Sequence, residues 1–153
     1  MPECQTKFHG RIVYDENAVF HFPNGLLGFE EETTFLPVEQ PLTRPILFLQ
    51  SLIHADLCFI TLPVLVVEPH YLLSIAAEDL NLLELPSGHV PGIGSEVLCL
   101  AILTIRPHQP TTANLLAPVV INLATRRAVQ AVSVDVPYSH QHPFLSPEDA
   151  AAC

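Results

Sequence analysis

Residues 111–122 read Thr-Thr-Ala-Asn-Leu-Leu-Ala-Pro-Val-Val-Ile-Asn, and the chain continues through Arg126 and Arg127 to Gln130. Apolar and β-branched residues on either side of a polar turn predict a buried strand, a tight turn and a second strand. This segment lies within residues 97–134, which contain no carboxylate in a chain of formal net charge -10. We therefore expect the stretch to build core while the acidic residues face solvent.

Short β-type segments follow one another along the rest of the chain, and its 15 prolines are spread among them instead of clustered. Prolines distributed in this way punctuate folded structure. A helix is expected at residues 76–83, with a second short turn at 29–33. The pattern predicts a mainly β, compact antiparallel β-barrel-like single domain with one or two short helices. Strands are expected at residues 6–13, 18–22, 33–38, 46–51, 57–65, 71–75, 96–106, 117–123 and 128–134.

The boundaries of the domain follow from composition. Residues 1–144 are expected to form the single domain, and residues 145–153 a flexible carboxyl-terminal tail. The amino terminus has no basic patch followed by an apolar stretch, so a cytoplasmic location is expected. No apolar run approaches the ~20 residues that a membrane helix needs. The four cysteines form no C-x-x-C pair and are expected to be reduced.

The charge balance narrows the class of partner. Sixteen acidic residues stand against six basic ones. Such a surface repels nucleic acid phosphates and attracts basic partners. It is equally consistent with a charged coat that keeps an apolar protein in solution. Many of the acids fall before Pro41, namely Glu3, Asp15, Glu16, Glu30, Glu31, Glu32 and Glu39.

The sequence offers little for catalysis. No nucleophile elbow and no glycine-rich phosphate loop is found, so neither an enzyme nor a cofactor site is expected. His140 and His142 are the one close histidine pair, and at i, i+2 they would share a strand face. A metal site would need a third ligand brought near by folding. A metal-dependent hydrolase built on this pair is one alternative, and a polar segment after the last strand is the other.

The segment at residues 23–31, Pro-Asn-Gly-Leu-Leu-Gly-Phe-Glu-Glu, is a sharper motif. Asn24-Gly25 favours a tight turn, and Gly28 adds a second permissive position. Two interpretations stay open. The loop is either a lid that tucks its apolar residues over one end of a barrel, or a docking surface of apolar groups rimmed by charge.

Asn114 and Asn122 flank the most apolar part of the opening segment. Short amide side chains at strand ends commonly hydrogen-bond to the local backbone, and this is the simpler interpretation of both. For Asn114 a contribution to partner binding is the other interpretation, and Asn114 is kept among the candidate site residues.

These residues together resemble the flagellar assembly factor FliW family. The resemblance covers roughly residues 7–144. The run at 111–122 is its specific part. The matching pieces are residues 22–31 (Phe-Pro-Asn-Gly-Leu-Leu-Gly-Phe-Glu-Glu), 48–52 (Phe-Leu-Gln-Ser-Leu) and 111–122, then Arg127, Gln130, Tyr138 and 142–144 (His-Pro-Phe). One departure is Ala128, where the family is expected to have glycine and a local bulge.

The resemblance implies a protein without enzymatic activity that binds the RNA-binding translational regulator CsrA and also binds flagellin. Binding relieves the repression by CsrA of flagellin mRNA translation, and free flagellin competes for the protein. We expect a monomer when free, with no membrane and no direct nucleic acid contact. A small-molecule-binding β-barrel is the alternative. The residues expected to contact a partner are Leu26, Leu27, Phe29, Glu30, Glu31, Glu32 and Asn114.

Overall fold

The computed structural model describes residues 1–133 and 135–144. The tail expected at 145–153 lies outside the described residues. Two short helices are present, α1 Val64–Val67 and α2 Ala77–Leu82, with a 3₁₀ turn at Glu16–Ala18. The strands are β1 Glu3–Thr6, β2 Gly10–Val13, β3 Phe20–His21, β4 Thr34–Glu39, β5 Leu47–Ser51, β6 Cys58–Pro63, β7 Val97–Thr104, β8 Thr111–Ala113, β9 Val119–Asn122, β10 Ala128–Gln130 and β11 His142–Phe144.

Seven strands form one antiparallel path in the order β10-β9-β7-β6-β5-β4-β3. The two ends of the path meet at a single parallel bridge between His21 and Arg127. There the His21 amide donates to the carbonyl of Arg126 at 2.9 Å. β8 branches from β7 and β11 pairs with β8, while β1 and β2 form a separate hairpin. The mainly β, antiparallel and barrel-like prediction is confirmed, with a seam of one bridge instead of a full ladder.

The inner face of this curled sheet is filled with side chains. Rings of Phe22 and Phe35 meet edge to face with centroids 5.3 Å apart, and Phe59 lies 5.8 Å from Phe35. These contacts fill this part of the barrel, whereas a recess of about 330 Å³ is lined by Phe20, Leu98 and Leu100, so the small-molecule alternative stays a prediction. The residues that form this barrel core are Phe20, Phe22, Leu26, Phe35, Leu49, Leu100, Val119, Ile121 and Ala128.

A second layer covers the outer face of the same sheet. In β7, Val97, Cys99 and Ala101 belong to this outer cluster, whereas Leu98 and Leu100 face the barrel core. Burial on both faces explains why β7 is continuously apolar and does not alternate. The outer cluster consists of Val64, Tyr71, Leu73, Leu83, Val97, Cys99, Ala101, Ala113, Leu115, Val120, Val129 and Ala131.

Residues 71–75 do not form the predicted strand. Tyr71 and Leu73 are buried in the outer cluster, and Leu72 between them is exposed. Buried and exposed residues therefore do alternate here, but the segment covers a sheet face and does not itself form a strand. Tyr71 donates its hydroxyl to the carbonyl of Leu115 at 2.7 Å and stacks on Tyr138 at 4.4 Å. Burial raises the pKa of Tyr71.

Several other boundaries differ from those predicted. Residues 6–13 span a hairpin turn, because Thr6 Oγ1 donates to the Gly10 carbonyl at 2.8 Å and accepts from the His9 amide at 2.9 Å. The predicted strand at 57–65 ends at Pro63, where α1 begins. The helix predicted at 76–83 is confirmed as α2.

The end of the described chain differs too. The strand predicted over 128–134 ends at Gln130. Ala128 sits in regular register opposite Ile121, so no bulge replaces the expected glycine. Strand β11 was not predicted at all: proline at 143 argues against a strand, but β11 is an edge strand with β8 as its partner. Among the described residues, no helix combines the length and apolarity needed to cross a membrane.

Candidate functional site

The loop between β3 and β4 is a tight double turn built by two glycines. Leu26 and Phe29 exchange backbone hydrogen bonds at 3.1 and 2.8 Å, which closes a turn with Gly28 at φ +82°. Gly25 has φ +65°, and a Cβ there would lie 2.5 Å from the carbonyl oxygen of Phe29. The loop therefore requires glycine at 25 for both conformation and space.

The three large apolar residues of this loop divide between two roles. Leu26 is only 2% exposed and belongs to the barrel core. Leu27 and Phe29 are 56% and 41% exposed. Phe29 is held from below by an edge-to-face contact with Phe59, with centroids 5.1 Å apart. Leu26 thus closes the barrel end as the lid interpretation expects, while Leu27 and Phe29 face solvent and the docking interpretation stays a prediction.

The three glutamates also divide. Glu30 and Glu31 are exposed, and Glu30 Oε1 accepts a hydrogen bond from the Gly28 amide at 3.3 Å. Glu32 is 5% exposed. Its carboxylate accepts a hydrogen bond from Ser51 Oγ at 2.6 Å and contacts His54 Nδ1. Glu32 therefore ties the end of the loop before β4 to the end of β5 and the turn that follows it, and its side chain is not on the surface that the loop presents.

Asn114 makes the local hydrogen bond expected of a strand-end amide. Its Oδ1 accepts from the Ala117 amide at 2.9 Å. Asn122 Oδ1 accepts a hydrogen bond from the Ala124 amide at 2.9 Å, and Asn122 Nδ2 donates to the carbonyl of Leu83 at 2.8 Å. The local interpretation is confirmed for both residues. Within the described part of the chain, no hydrogen bond joins Asn114 to residues 24–31.

A groove of about 260 Å³ lies beside the loop. Its walls come from the loop, from α2 and from β10, including Leu27, Asp79 and Leu82. The Leu27 amide donates to Gln130 Oε1 at 2.9 Å, so one side chain of β10 holds the loop in place. Sequence reasoning found Gln130 through the family resemblance without assigning it this role, because the two residues are 103 positions apart.

The groove is acidic. Glu30 and Asp79 both line it. Desolvation raises the pKa of Asp79, and the adjacent Glu78 raises it further. No ion pair to Glu30 or Asp79 is present among the residues that the structure describes. A cation brought to this groove would meet two carboxylates that form no ion pair with any described residue, although Glu30 accepts a hydrogen bond from the Gly28 amide.

The histidine pair and the thiols show no built site. Over residues 1–133 and 135–144, no three His, Cys, Asp or Glu side chains converge as metal ligands. Cys58 Sγ lies 3.5 Å from His9 Nε2, but burial raises the pKa of Cys58 to about 11. A protonated thiol is a poor nucleophile and a poor metal ligand. Cys4, Cys58 and Cys99 are free.

Comparison with known proteins gives a consistent result. Residues 3–145 match the sequence model of a family described as FliW protein. The chain is 35% identical to the flagellar assembly factor FliW of Bacillus velezensis, over 90% of this chain and 93% of that protein. It is 34% identical to the FliW of Anoxybacillus flavithermus, over 97% of each. A crystal structure of the flagellar assembly factor FliW superposes with a TM-score of 0.81 at 29% identity, covering 95% of this chain and 98% of that one.

Proposed function

Because this chain belongs to the FliW family of flagellar assembly factors, we propose that it binds a CsrA-type RNA-binding regulator and flagellin. By occupying the regulator, it relieves repression of flagellin mRNA translation. Free flagellin competes for the protein, so translation follows the size of the flagellin pool. The protein acts in the cytoplasm by switching partners, as a monomer when free and without catalysis or direct contact with nucleic acid.

The observation that carries this proposal is the surface formed by Leu27, Phe29, Glu30 and Glu31, called here the loop surface. Two large apolar side chains are exposed on a hydrogen-bonded turn, and two exposed carboxylates follow them in the sequence. Apolar centres with a charged rim are typical of protein interfaces. The turn is braced by Phe59 and Gln130, so little conformational entropy is lost when a partner binds.

Electrostatics supports a basic partner. The formal charge of -10 repels RNA and attracts a protein whose surface is basic enough to bind RNA. Complementary charge acts mainly on the association rate and on the choice of partner, and less on the final affinity. Glu30 and Glu31 are both exposed, so their contribution should be screened by salt.

A matched pair of charge reversals tests this proposal. Glu30→Lys with Glu31→Lys changes the loop surface, and Glu16→Lys with Asp56→Lys makes the same change in net charge at other exposed positions. We expect the first variant to associate with a purified CsrA-type regulator roughly tenfold more slowly than the second at low salt. The difference should shrink at ~1 M salt. Equal rates for the two variants would exclude the loop surface as the contact.

A further inference from the structure

Within residues 1–133 and 135–144, no strand pairs with the outer edge of β10 where it passes the groove. Antiparallel pairing with β9 places Arg127 and Ala131 at hydrogen-bonded positions: the Asn122 amide donates to the Arg127 carbonyl, and the Ala131 amide donates to Pro118. By alternation, the backbone groups of Ala128, Gln130 and Val132 point away from β9. β3 lies on this outer side of β10, because the His21 amide donates a hydrogen bond to the Arg126 carbonyl.

β3 leaves this edge after one bridge. The residue after Phe22 is Pro23, which has no amide hydrogen to continue the pairing, and the chain then turns into the 24–29 loop. Beyond that point, no backbone hydrogen bond to the amide or carbonyl of Gln130 or Val132 is present among the described residues. These donors and acceptors face the groove, which Gln130 and Val132 also line.

The two walls of the groove carry the same kinds of side chain. Asp79 and Leu82 of α2 form one side, and Leu27 and Glu30 of the loop form the other. Each side thus offers one apolar and one acidic residue. Side chains of an added strand point alternately to the two faces of the sheet, so a segment that alternates apolar and cationic residues would place its cations against the acidic residue of one wall and its apolar side chains against the leucine of the other.

We propose that the edge of β10 takes up an extended segment of a protein partner as an added strand, and that this segment carries apolar and cationic side chains. Addition of a strand to an open sheet edge is an established mode of peptide recognition. The occupant is specified by Asp79 and Glu30, which form no ion pair within the described part of the chain, and by the apolar Leu27 and Leu82. This inference rests on the proposed function for its premise that the ligand is a protein, and it specifies how part of that protein binds.

The sharpest test exploits the direction of one amide. The Gln130 amide points to the groove and not to β9, so Gln130→Pro removes a donor for the guest strand while the β9 ladder keeps its bonds. Gln130→Ala loses the same side chain and keeps the amide. The probes are fluorescein-labelled hexapeptides with the sequences (Val-Lys)₃ and (Val-Glu)₃.

We expect (Val-Lys)₃ to bind the wild type. Both variants lose the side-chain hydrogen bond to the Leu27 amide, so Gln130→Ala is the reference for the backbone amide. The Gln130→Pro variant should bind at least about tenfold more weakly than Gln130→Ala. The glutamate peptide should bind none of them. Equal affinity of the proline and alanine variants, binding of both peptides alike, or no binding of (Val-Lys)₃ to the wild type would overturn the inference.

A backbone measurement keeps the test decisive if the proline variant does not fold. Amide hydrogen exchange of the wild type with saturating (Val-Lys)₃ should show slower exchange at Gln130 and Val132, because a guest strand would hydrogen-bond both groups. Unchanged exchange at both amides would mean side-chain docking only, which contradicts strand addition.

The same proteins separate this inference from the proposed function. If the wild type binds the CsrA-type regulator or flagellin but neither interaction nor peptide binding responds to Gln130→Pro, the edge inference fails and the proposed function stands. If neither protein binds while the lysine peptide is held at the edge, the proposed function fails and the edge inference stands.

Discussion

At the scale of single residues, Gly25 is the position on which the loop surface depends most. Gly25 has φ +65°, and a Cβ at this position would lie 2.5 Å from the Phe29 carbonyl oxygen. A side chain therefore does not fit there. Gly28 has φ +82° but open space around it.

We expect Gly25→Ala to lower the free energy of unfolding by more than about 2 kcal/mol. Gly28→Ala should cost about 1 kcal/mol. Urea unfolding measures both, and equal losses would contradict the packing argument.

Glu32 provides a second prediction at this scale. Its buried carboxylate accepts a hydrogen bond from Ser51 and contacts His54, whereas Glu31 is exposed. We expect Glu32→Gln to lower the free energy of unfolding by about 1–3 kcal/mol. Glu31→Gln should stay within about 0.5 kcal/mol of the wild type. Thermal unfolding of the pair at neutral pH is the measurement, and similar midpoints for the two variants would contradict the structural role of Glu32.

At this scale the sequence predicts features that depend on neighbouring residues and misses features that depend on contacts far apart in the chain. The turn at Asn24-Gly25 is local, so composition was enough to find it. The three consecutive glutamates looked equivalent, because the partners that bury Glu32 are 19 and 22 residues away. For the same reason the sequence did not predict that Leu26 is buried and Leu27 exposed, because contacts within the folded barrel determine which of the two adjacent leucines is covered.

At the scale of elements, α2 is anchored by side chains from the β9–β10 turn. Asn122 Nδ2 donates to the carbonyl of Leu83 at 2.8 Å, and Arg127 Nε donates to that of Leu82 at 2.8 Å. Arg127 also pairs with Glu84 at 3.0 Å. Because α2 has six residues, it is too short to be stable alone and depends on these contacts and on its buried Leu80 and Leu83.

This anchoring leads to a prediction about α2. Asn122→Ala removes the bond to Leu83 and should cost about 1–3 kcal/mol in stability. Hydrogen exchange at the amides of Leu80 and Leu83 should become faster in this variant. The control is Asn81→Ala on the exposed face of α2, which should be neutral because alanine favours helix. If exchange in α2 is unchanged in Asn122→Ala, the anchor is not what holds the helix.

Elements differed in how well their sequences predicted them. β7 was predicted from a continuous apolar run, and its burial on both faces is the reason that run exists. Residues 71–75 alternate like a strand but cover a sheet, since alternation reports burial of one side and not pairing. β11 could not be predicted, because its pairing with β8 is a long-range contact and its sequence contains a proline.

At the scale of the whole molecule, the acidic residues and the most apolar strands come from different parts of the sequence. The stretch without carboxylates supplies β7, β9 and β10, which lie at one end of the sheet path, and β8, which branches from β7. The acidic residues that the structure describes lie outside this stretch, in loops, in α2 and at the ends of β1 and β4. The loop surface and the groove lie together where β3 leaves the edge of β10. The fold class was predictable from the strand pattern. The groove was not, because α2, β10 and the loop are brought together only by folding.

Binding affinity for a purified CsrA-type regulator is the measurement that tests the central claim most directly. Isothermal titration would compare the wild type with Leu27→Ala, and with Leu42→Ala as a control at a leucine that is 98% exposed. We expect Leu27→Ala to weaken binding by at least about tenfold, as for a residue near the centre of an interface, and Leu42→Ala to match the wild type. Binding that is absent in the wild type, or equal in all three proteins, would contradict the claim that the loop surface receives a protein partner.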